Sequence, residues 1–304
     1  MKRNEQIITF GQRFETKHNI VDTINSGHVP GSFMALVDAE KRIFYTSDFN
    51  TGKSRLLKGA NIKKIKDVDV LITESTYASR DHPDRTKTEK AFIESIESTV
   101  ANDGIALVPS FAIGRSTEIL LILEHYKVKC PIYLDGMAKQ AAQIALNYPE
   151  LLKNPEALER ILKRTKMVDN MKDRTEAAKR PAVIVSTSGM LTGGPIEFYI
   201  KQLFRREDCS LNFVGFQVPG TSGRYLLDTG RYVHKGVDLK MKMNINFFDF
   251  SAHTDRSGLF KFINKLSPQK VICMHGDQCD RFATELNSRG FDAIAPKNGD
   301  TVKI

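Results

Sequence analysis

Five short stretches combine an imidazole or a carboxylate with the end of an apolar run or a glycine-rich turn. They are Ser26-Gly27-His28-Val29-Pro30-Gly31-Ser32, Tyr45-Thr46-Ser47-Asp48-Phe49, Leu71-Ile72-Thr73-Glu74-Ser75-Thr76-Tyr77, Phe250-Ser251-Ala252-His253-Thr254-Asp255 and Ile272-Cys273-Met274-His275-Gly276-Asp277. Imidazoles and carboxylates at strand ends are held by a rigid sheet and still face a cleft, which suits metal ligation or proton transfer. Each stretch also has a plain structural reading. Asp48 can close a turn through its own backbone. Glu74 can be a buried acid paired with an arginine, and Asp255 can be the N-cap of a helix that His253 introduces. His18, His82, His125 and His234 lack such a setting and read as surface or packing residues.

The elements that must position these residues are short apolar runs with helical patterns between them. Strands are expected at Phe33–Val37, Arg42–Thr46, Val68–Thr73, Ile105–Val108, Pro131–Leu134, Pro181–Ser186, Leu211–Phe216 and Val271–Met274. In Thr88–Ala101, Phe92, Ile93, Ile96 and Val100 fall on one face at helical spacing. Further helices are expected at Thr117–Tyr126, from Asn154 and Pro155 through Lys163, at Pro195–Phe204, and at Asp280–Ser288 closed by Gly290. Between roughly 85 and 230 strands and helices alternate, the pattern of a parallel sheet covered by helices. Residues 20–73 instead read as strand after strand. The charged stretch Lys163–Arg180 reads as a solvated helix with loops.

Composition narrows the class. The 304 residues carry 45 Lys and Arg against 36 Asp and Glu, a formal charge of +9, with 41% apolar residues. That apolar content supports a folded core and excludes a disordered chain. No apolar run reaches about 18 residues, so no membrane span is expected, and MKRNEQIITF lacks the apolar segment of a secretion signal. Cys130, Cys209, Cys273 and Cys279 form no CxxC pair, which disfavours a cysteine zinc site. They read as reduced thiols of a cytoplasmic protein. The positive charge favours an anionic partner, nucleic acid first.

Taken together and in order, these motifs resemble the β-CASP branch of the metallo-β-lactamase family, which includes RNase J and the nuclease subunit of the cleavage and polyadenylation specificity factor. The likeness, closest to archaeal and bacterial members, runs from about residue 24 to the C-terminus. It is carried by SGHVPGSFM, YTSDF, LITESTY, GIALVPSFAIGRSTEILLIL, VIVSTSGMLTGGP, NFVGFQVPGTSGRYLLD, FSAHTD and VICMHGD. The resemblance implies an α/β fold: a partial metallo-β-lactamase αββα sandwich with an inserted Rossmann-like β-CASP domain, a parallel sheet flanked by helices. The expected division is 1–85 and 246–304 for the lactamase-type part and 86–245 for the insert. It further implies zinc-dependent hydrolysis of RNA phosphodiesters. By resemblance, His28 ligates one zinc, Asp48 bridges two, and His275 ligates the second. Glu74 orients His253, which protonates the leaving oxygen. Two zincs bridged by a carboxylate activate water for in-line attack on a phosphodiester, and a histidine held by a carboxylate is a suitable general acid near neutral pH.

The family's HxHxDH motif is absent from residues 1–27. It supplies four of the family's seven protein ligands, so each zinc would keep two, where a catalytic zinc uses about three plus water. This chain alone is therefore expected to hold zinc weakly and to cleave little or nothing, and an apolar sheet face is expected to lie bare. Three explanations stand side by side: a fragment of a longer nuclease, a non-catalytic paralogue that binds RNA or a partner, and one half of a split enzyme. The implied partners are RNA and either the missing N-terminal segment or an active paralogue, in a homo- or heterodimer.

Three loops of the insert are candidates for phosphate contact, since the family places this domain over the catalytic cleft. In Phe111-Ala112-Ile113-Gly114-Arg115-Ser116, helix-start N–H groups and Arg115 can hold a phosphate. The loop from Ser186 to Pro195 carries Ser188 and Gly189, and Gly220-Thr221-Ser222-Gly223-Arg224 carries Arg224. The plain alternative is that the glycines make tight turns and that Arg115 pairs with Glu118 or another acid.

Overall fold

Alternation decides which way the first strands face. In β3 (Phe33–Asp38), Met34 and Leu36 point to a buried side, while Phe33, Ala35 and Val37 point to the other. The structure is a computed structural model and describes residues 8–52 and 54–304. Residues 1–7, where the lack of a secretion-type apolar run was read, lie outside the described residues. The chain divides into two units, Met1–Asp81 with Ala252–Ile304, and His82–Ser251.

The first unit is built on a seven-stranded sheet of β1 (Arg13–Glu15), β2 (Ile20–Asn25), β3, β4 (Arg42–Tyr45), β5 (Val70–Glu74), β14 (Lys270–Met274) and β15 (Asp292–Ile294), in that spatial order. Strands β1 to β4 run antiparallel, and β4, β5, β14 and β15 run parallel. The second unit is thus inserted in the chain after β5, and the returning strand β14 pairs with β5. One sheet face packs Met34, Leu36, Phe44, Leu71 and Val271 against α8 (Arg256–Leu266) and α9 (Cys279–Ser288) through Leu259, Phe262, Ile263, Phe282 and Leu286. The register puts Phe33, Tyr45 and Met274 on the opposite face, where they are 40%, 40% and 38% exposed. Among the described residues of this unit no second sheet covers that face.

The second unit holds an all-parallel six-stranded sheet in the order β13 (Asn244–Phe247), β10 (Ser210–Phe213), β6 (Ile105–Pro109), β9 (Ala182–Ser186), β7 (Ile132–Asp135) and β8 (Lys166–Val168). Strands β6 and β9 are buried along their whole length, as parallel strands covered on both faces must be. The helices α1 (Arg85–Ala101), α2 (Arg115–His125), α3 (Ala138–Leu146), α4 (Pro155–Arg164), α5 (Met171–Ala177), α6 (Ile196–Leu203) and α7 (Ser222–Thr229) alternate with the strands. Asp84 caps α1 through the Lys87 N–H at 2.8 Å, which starts that helix three residues before the expected Thr88. Asn154 caps α4, as its position before Pro155 suggests.

One sequence expectation differs from the structure. Lys163–Arg180 is not only helix and loop: Lys166–Val168 forms the edge strand β8, hydrogen-bonded to β7. The second compact unit spans His82–Ser251, and β13 within it pairs in register with β10.

Candidate functional site

Four of the five chemically suggestive residues converge in the first unit. Ligand atoms of Asp48, Glu74, His253 and His275 all lie within 4.8 Å of one another. The fifth, His28, joins through Asp48. Its Nε2 is 3.9 Å from Asp48 Oδ2, while His275 Nδ1 is 2.8 Å from Asp48 Oδ1. Asp48 therefore presents one oxygen to each of two imidazoles. The His28 and His253 rings are tilted against each other at 4.6 Å.

The His28 ring is fixed by the backbone. Its Nδ1 lies 3.0 Å from the Ala252 carbonyl. A carbonyl oxygen only accepts, so Nδ1 carries the proton and Nε2 keeps its lone pair, facing Asp48. Burial, and the nearby His253, push the His28 imidazole below its ordinary range, which also favours the neutral ring a metal needs.

Glu74 has a different role. It is 2% exposed. Oε1 accepts the Phe49 N–H at 2.7 Å, and Oε2 accepts the Thr76 hydroxyl at 2.5 Å and His253 Nδ1 at 2.7 Å. Both oxygens are thus engaged by donors from three separate segments. The Glu74 carboxylate thus accepts from His253 while its position also falls within the cluster. The Thr76 Oγ1 atom lies 2.9 Å from the His275 carbonyl and 3.3 Å from His275 Nδ1 as well, so it touches both the Glu74 pair and His275.

Tight backbone turns deliver two of the histidines. A Cβ on Gly27 would lie 2.6 Å from the Asn50 carbonyl, and one on Gly276 would lie 2.5 Å from the Ser75 carbonyl. Only glycine admits these approaches, which place His28 and His275. Ser47 (φ 48°) and His275 (φ 50°) adopt left-handed backbone, at a cost of about 1 kcal/mol each. Asp255 caps α8 through the Gly258 N–H at 2.8 Å, so its helix-capping reading holds and it is not in the cluster. Thr76, the Phe49 N–H and the Ala252 carbonyl were not singled out from sequence. Only their closeness to Glu74 and His28 in the motifs hinted at them.

In the second unit the three glycine-rich loops pack together. The Gly223 N–H donates to the Met190 carbonyl at 2.9 Å, and Gln217 Nε2 donates to the carbonyls of Gly189 and Gly215 at 3.0 and 3.1 Å. A Cβ on Gly189 would lie 3.1 Å from the Phe111 nitrogen. Arg115 opens α2, whose N-cap Gly114 offers no side chain to its N–H groups. Ser188 is half-buried, with its hydroxyl accepting from the Thr192 N–H, and Gly189 is buried. Arg224 is held by Asp228 in a two-pronged pair at 2.8 and 2.9 Å. His82 and His234 lie beside Asp249 and Glu197, and His18 and His125 are exposed, all outside the cluster. All four cysteines are free thiols. Among the described residues no helix is long and apolar enough to cross a membrane.

Family models support the same architecture. Residues 116–226 match the Beta-Casp domain, and residues 238–296 match the Zn-dependent metallo-hydrolase RNA specificity domain. Among curated relatives, the protein named Probable RNase MJ4 from Methanocaldococcus jannaschii is 38% identical over 93% of this chain and 68% of its own length. RNase aCSPSF2 from Saccharolobus solfataricus is 33% identical over 99% of this chain and 62% of its own length. Transcription termination factor FttA from Methanothermobacter thermautotrophicus is 34% identical over 92% of this chain and 49% of its own length. The chain belongs to the β-CASP branch of the metallo-β-lactamase family, the β-CASP ribonucleases. It spans between about half and two thirds of the length of these relatives.

The residues present fit a zinc in kind. A carboxylate with one oxygen toward each of two imidazoles, one of them held neutral, is a donor set of the type zinc takes.

Proposed function

We propose that this chain is part of a zinc-dependent β-CASP ribonuclease of metallo-β-lactamase type, with His28, Asp48 and His275 as metal ligands. Glu74 orients His253, which donates a proton to the leaving oxygen of an RNA phosphodiester. The observation that carries this reading is the arrangement of Asp48 between His28 and His275, with the Glu74–His253 pair alongside. The relatives named as RNases support the substrate class. Bound zinc would supply an activated water and neutralise charge on the phosphate. The chain's own residues do the rest: Glu74 holds the Nδ1–H of His253, and the protonated ring carries the transferable proton on Nε2. Ala252 holds His28 in register.

Within these 304 residues no HxHxDH motif occurs, so the proposal includes weak zinc binding and little cleavage by this chain alone. The test is fusion of the N-terminal segment of an active relative ahead of Met1. Zinc binding and RNA cleavage should appear. Asp48→Ala and His275→Ala should abolish both. His253→Ala should lower turnover by about 10²- to 10⁴-fold with zinc retained. A folded, zinc-loaded fusion that leaves RNA intact would overturn this reading and favour the second one, a non-catalytic paralogue that binds RNA or a partner. The exposed Phe33, Tyr45 and Met274 on one sheet face are the observation in favour of that alternative.

A further inference from the structure

Three of the loops that carry cluster residues run on into one cavity of the first unit. Ser79 lies five residues beyond Glu74, Arg256 three beyond His253, and Gln278 three beyond His275. All three line a cavity of about 90 Å³, together with Arg281, Phe282 and Glu285. Three residues of chain span at most about 10 Å, so the cavity begins close to the metal cluster. Its volume accommodates several water-sized groups.

The walls divide into a fixed part and an open part. Arg256 is fixed: Nη1 donates to the Ala78 carbonyl at 2.9 Å, Nη2 pairs with Glu285, and the guanidinium lies 4.9 Å from the Phe260 ring centroid. Glu285 also takes Arg289 Nη2 at 2.8 Å, and Arg289 lies 4.0 Å from the same ring. Glu285 is thereby shared between two guanidinia. Its carboxyl is held below the usual range, by the Arg256 hydrogen bond first. Glu285 is the one acid in the cavity lining, against Arg256 and Arg281, while Asp81 acts on Arg256 from outside that lining. The neighbouring Asp277 and Asp280 are exposed and do not line it. Arg281, Gln278 and Ser79 make up the open part. Among the described residues their side chains have no hydrogen-bond or ion-pair partner, and all three are exposed. A guanidinium, an amide and a hydroxyl, all unused and facing one cavity of net positive charge, match the oxygens of a phosphate.

We propose that this cavity is a subsite for a phosphodiester of the RNA strand outside the metal cluster, with Arg281, Gln278 and Ser79 as its donors. The inference rests on the ribonuclease reading for its ligand class. It is tested apart from that reading, on the whole chain in EDTA, where bound metal contributes nothing. Fluorescence anisotropy of a labelled twelve-nucleotide poly-U strand gives affinity at several salt concentrations. Arg281→Ala should weaken binding several-fold and reduce the slope of log K against log salt by about 0.7, one phosphate contact on a single strand. Gln278→Ala should weaken binding with the slope unchanged. Lys265→Ala removes an equal charge about 13 Å along α8 from Arg256 and should change neither. Equal behaviour of Arg281→Ala and Lys265→Ala, with wild-type binding intact, overturns the subsite and leaves the ribonuclease reading standing. No wild-type binding at low salt overturns the subsite and removes RNA as its ligand class. A labelled oligo-glutamate peptide that binds in an Arg281-dependent way, while RNA binding ignores Arg281, assigns the cavity to an acidic peptide and also overturns it.

Discussion

His253 Nδ1 lies 2.7 Å from Oε2 of Glu74, a carboxylate buried to 2% exposure. The contact joins the end of β5 to a residue 179 positions later in the chain. Glu74 also accepts from Phe49 and Thr76. One carboxylate thereby holds three segments of the first unit in place and sets which imidazole nitrogen carries a proton.

The same arrangement makes Glu74 important for stability. Glu74→Ala leaves three donors without their acceptor and should cost about 3 kcal/mol, at roughly 1 kcal/mol for each lost bond. Urea denaturation measures it. A loss under about 0.5 kcal/mol would show that these contacts are replaced by water.

In the second unit a comparable lock closes the end of β7. Asp135 is fully buried and accepts from Arg174 Nε at 2.7 Å and from the Tyr199 hydroxyl at 2.9 Å. Burial and Asp135 raise the Tyr199 hydroxyl well above its ordinary range. Arg174→Met would leave a buried charge uncompensated and should cost about 3–5 kcal/mol. Tyr199→Phe should cost about 1 kcal/mol. Thermal and urea unfolding check both, and equal effects would contradict the charge argument.

The thiols should react unequally. Burial pushes the Cys273 thiol up to about 12 and raises Cys209 and Cys130. A raised thiol holds less thiolate at a given pH, and thiolate is the reactive form. Iodoacetamide at pH 8 on the native protein should therefore label the half-buried Cys279 first and leave Cys273 and Cys209 unmodified until unfolding. Peptide mass spectrometry reads the order, and early labelling of Cys273 would contradict it.

Much of the candidate site was legible because its residues sit at strand ends within ordered motifs. His28, Asp48, Glu74, His253 and His275 could each be named from the sequence, and four of them meet within 4.8 Å. The strands β3 to β7, β9, β10 and β14 were legible for the same reason, as apolar runs bounded by turns. Lys166–Val168 was not, because a three-residue edge strand among charged residues has no period to read. The hairpin of β11 (Arg231–His234) and β12 (Val237–Lys240) was missed as well. Its two-residue turn, Lys235 and Gly236, has positive φ at both positions, yet lacks the Asn-Gly or Asp-Gly signal of that turn. Long-range supports such as the Ala252 carbonyl on His28 and the Arg256–Glu285 pair depend on tertiary placement, and no local pattern encodes them.

One loop of the second unit should contribute little to RNA binding. Arg224→Ala should flatten the salt dependence by less than one full phosphate contact, because its guanidinium is already held by Asp228. Salt titrations of single-stranded RNA binding decide this. A larger effect at Arg224 would show that its ion pair opens on binding.

The account turns on metal. Elemental analysis of the purified chain after dialysis against a mild chelator measures it directly. The prediction is fewer than one zinc per chain, lowered further by Asp48→Ala, because the proposed ligands His28, Asp48 and His275 are too few for a tight site. Two zincs retained per chain would contradict it and would require ligands from other residues of this chain.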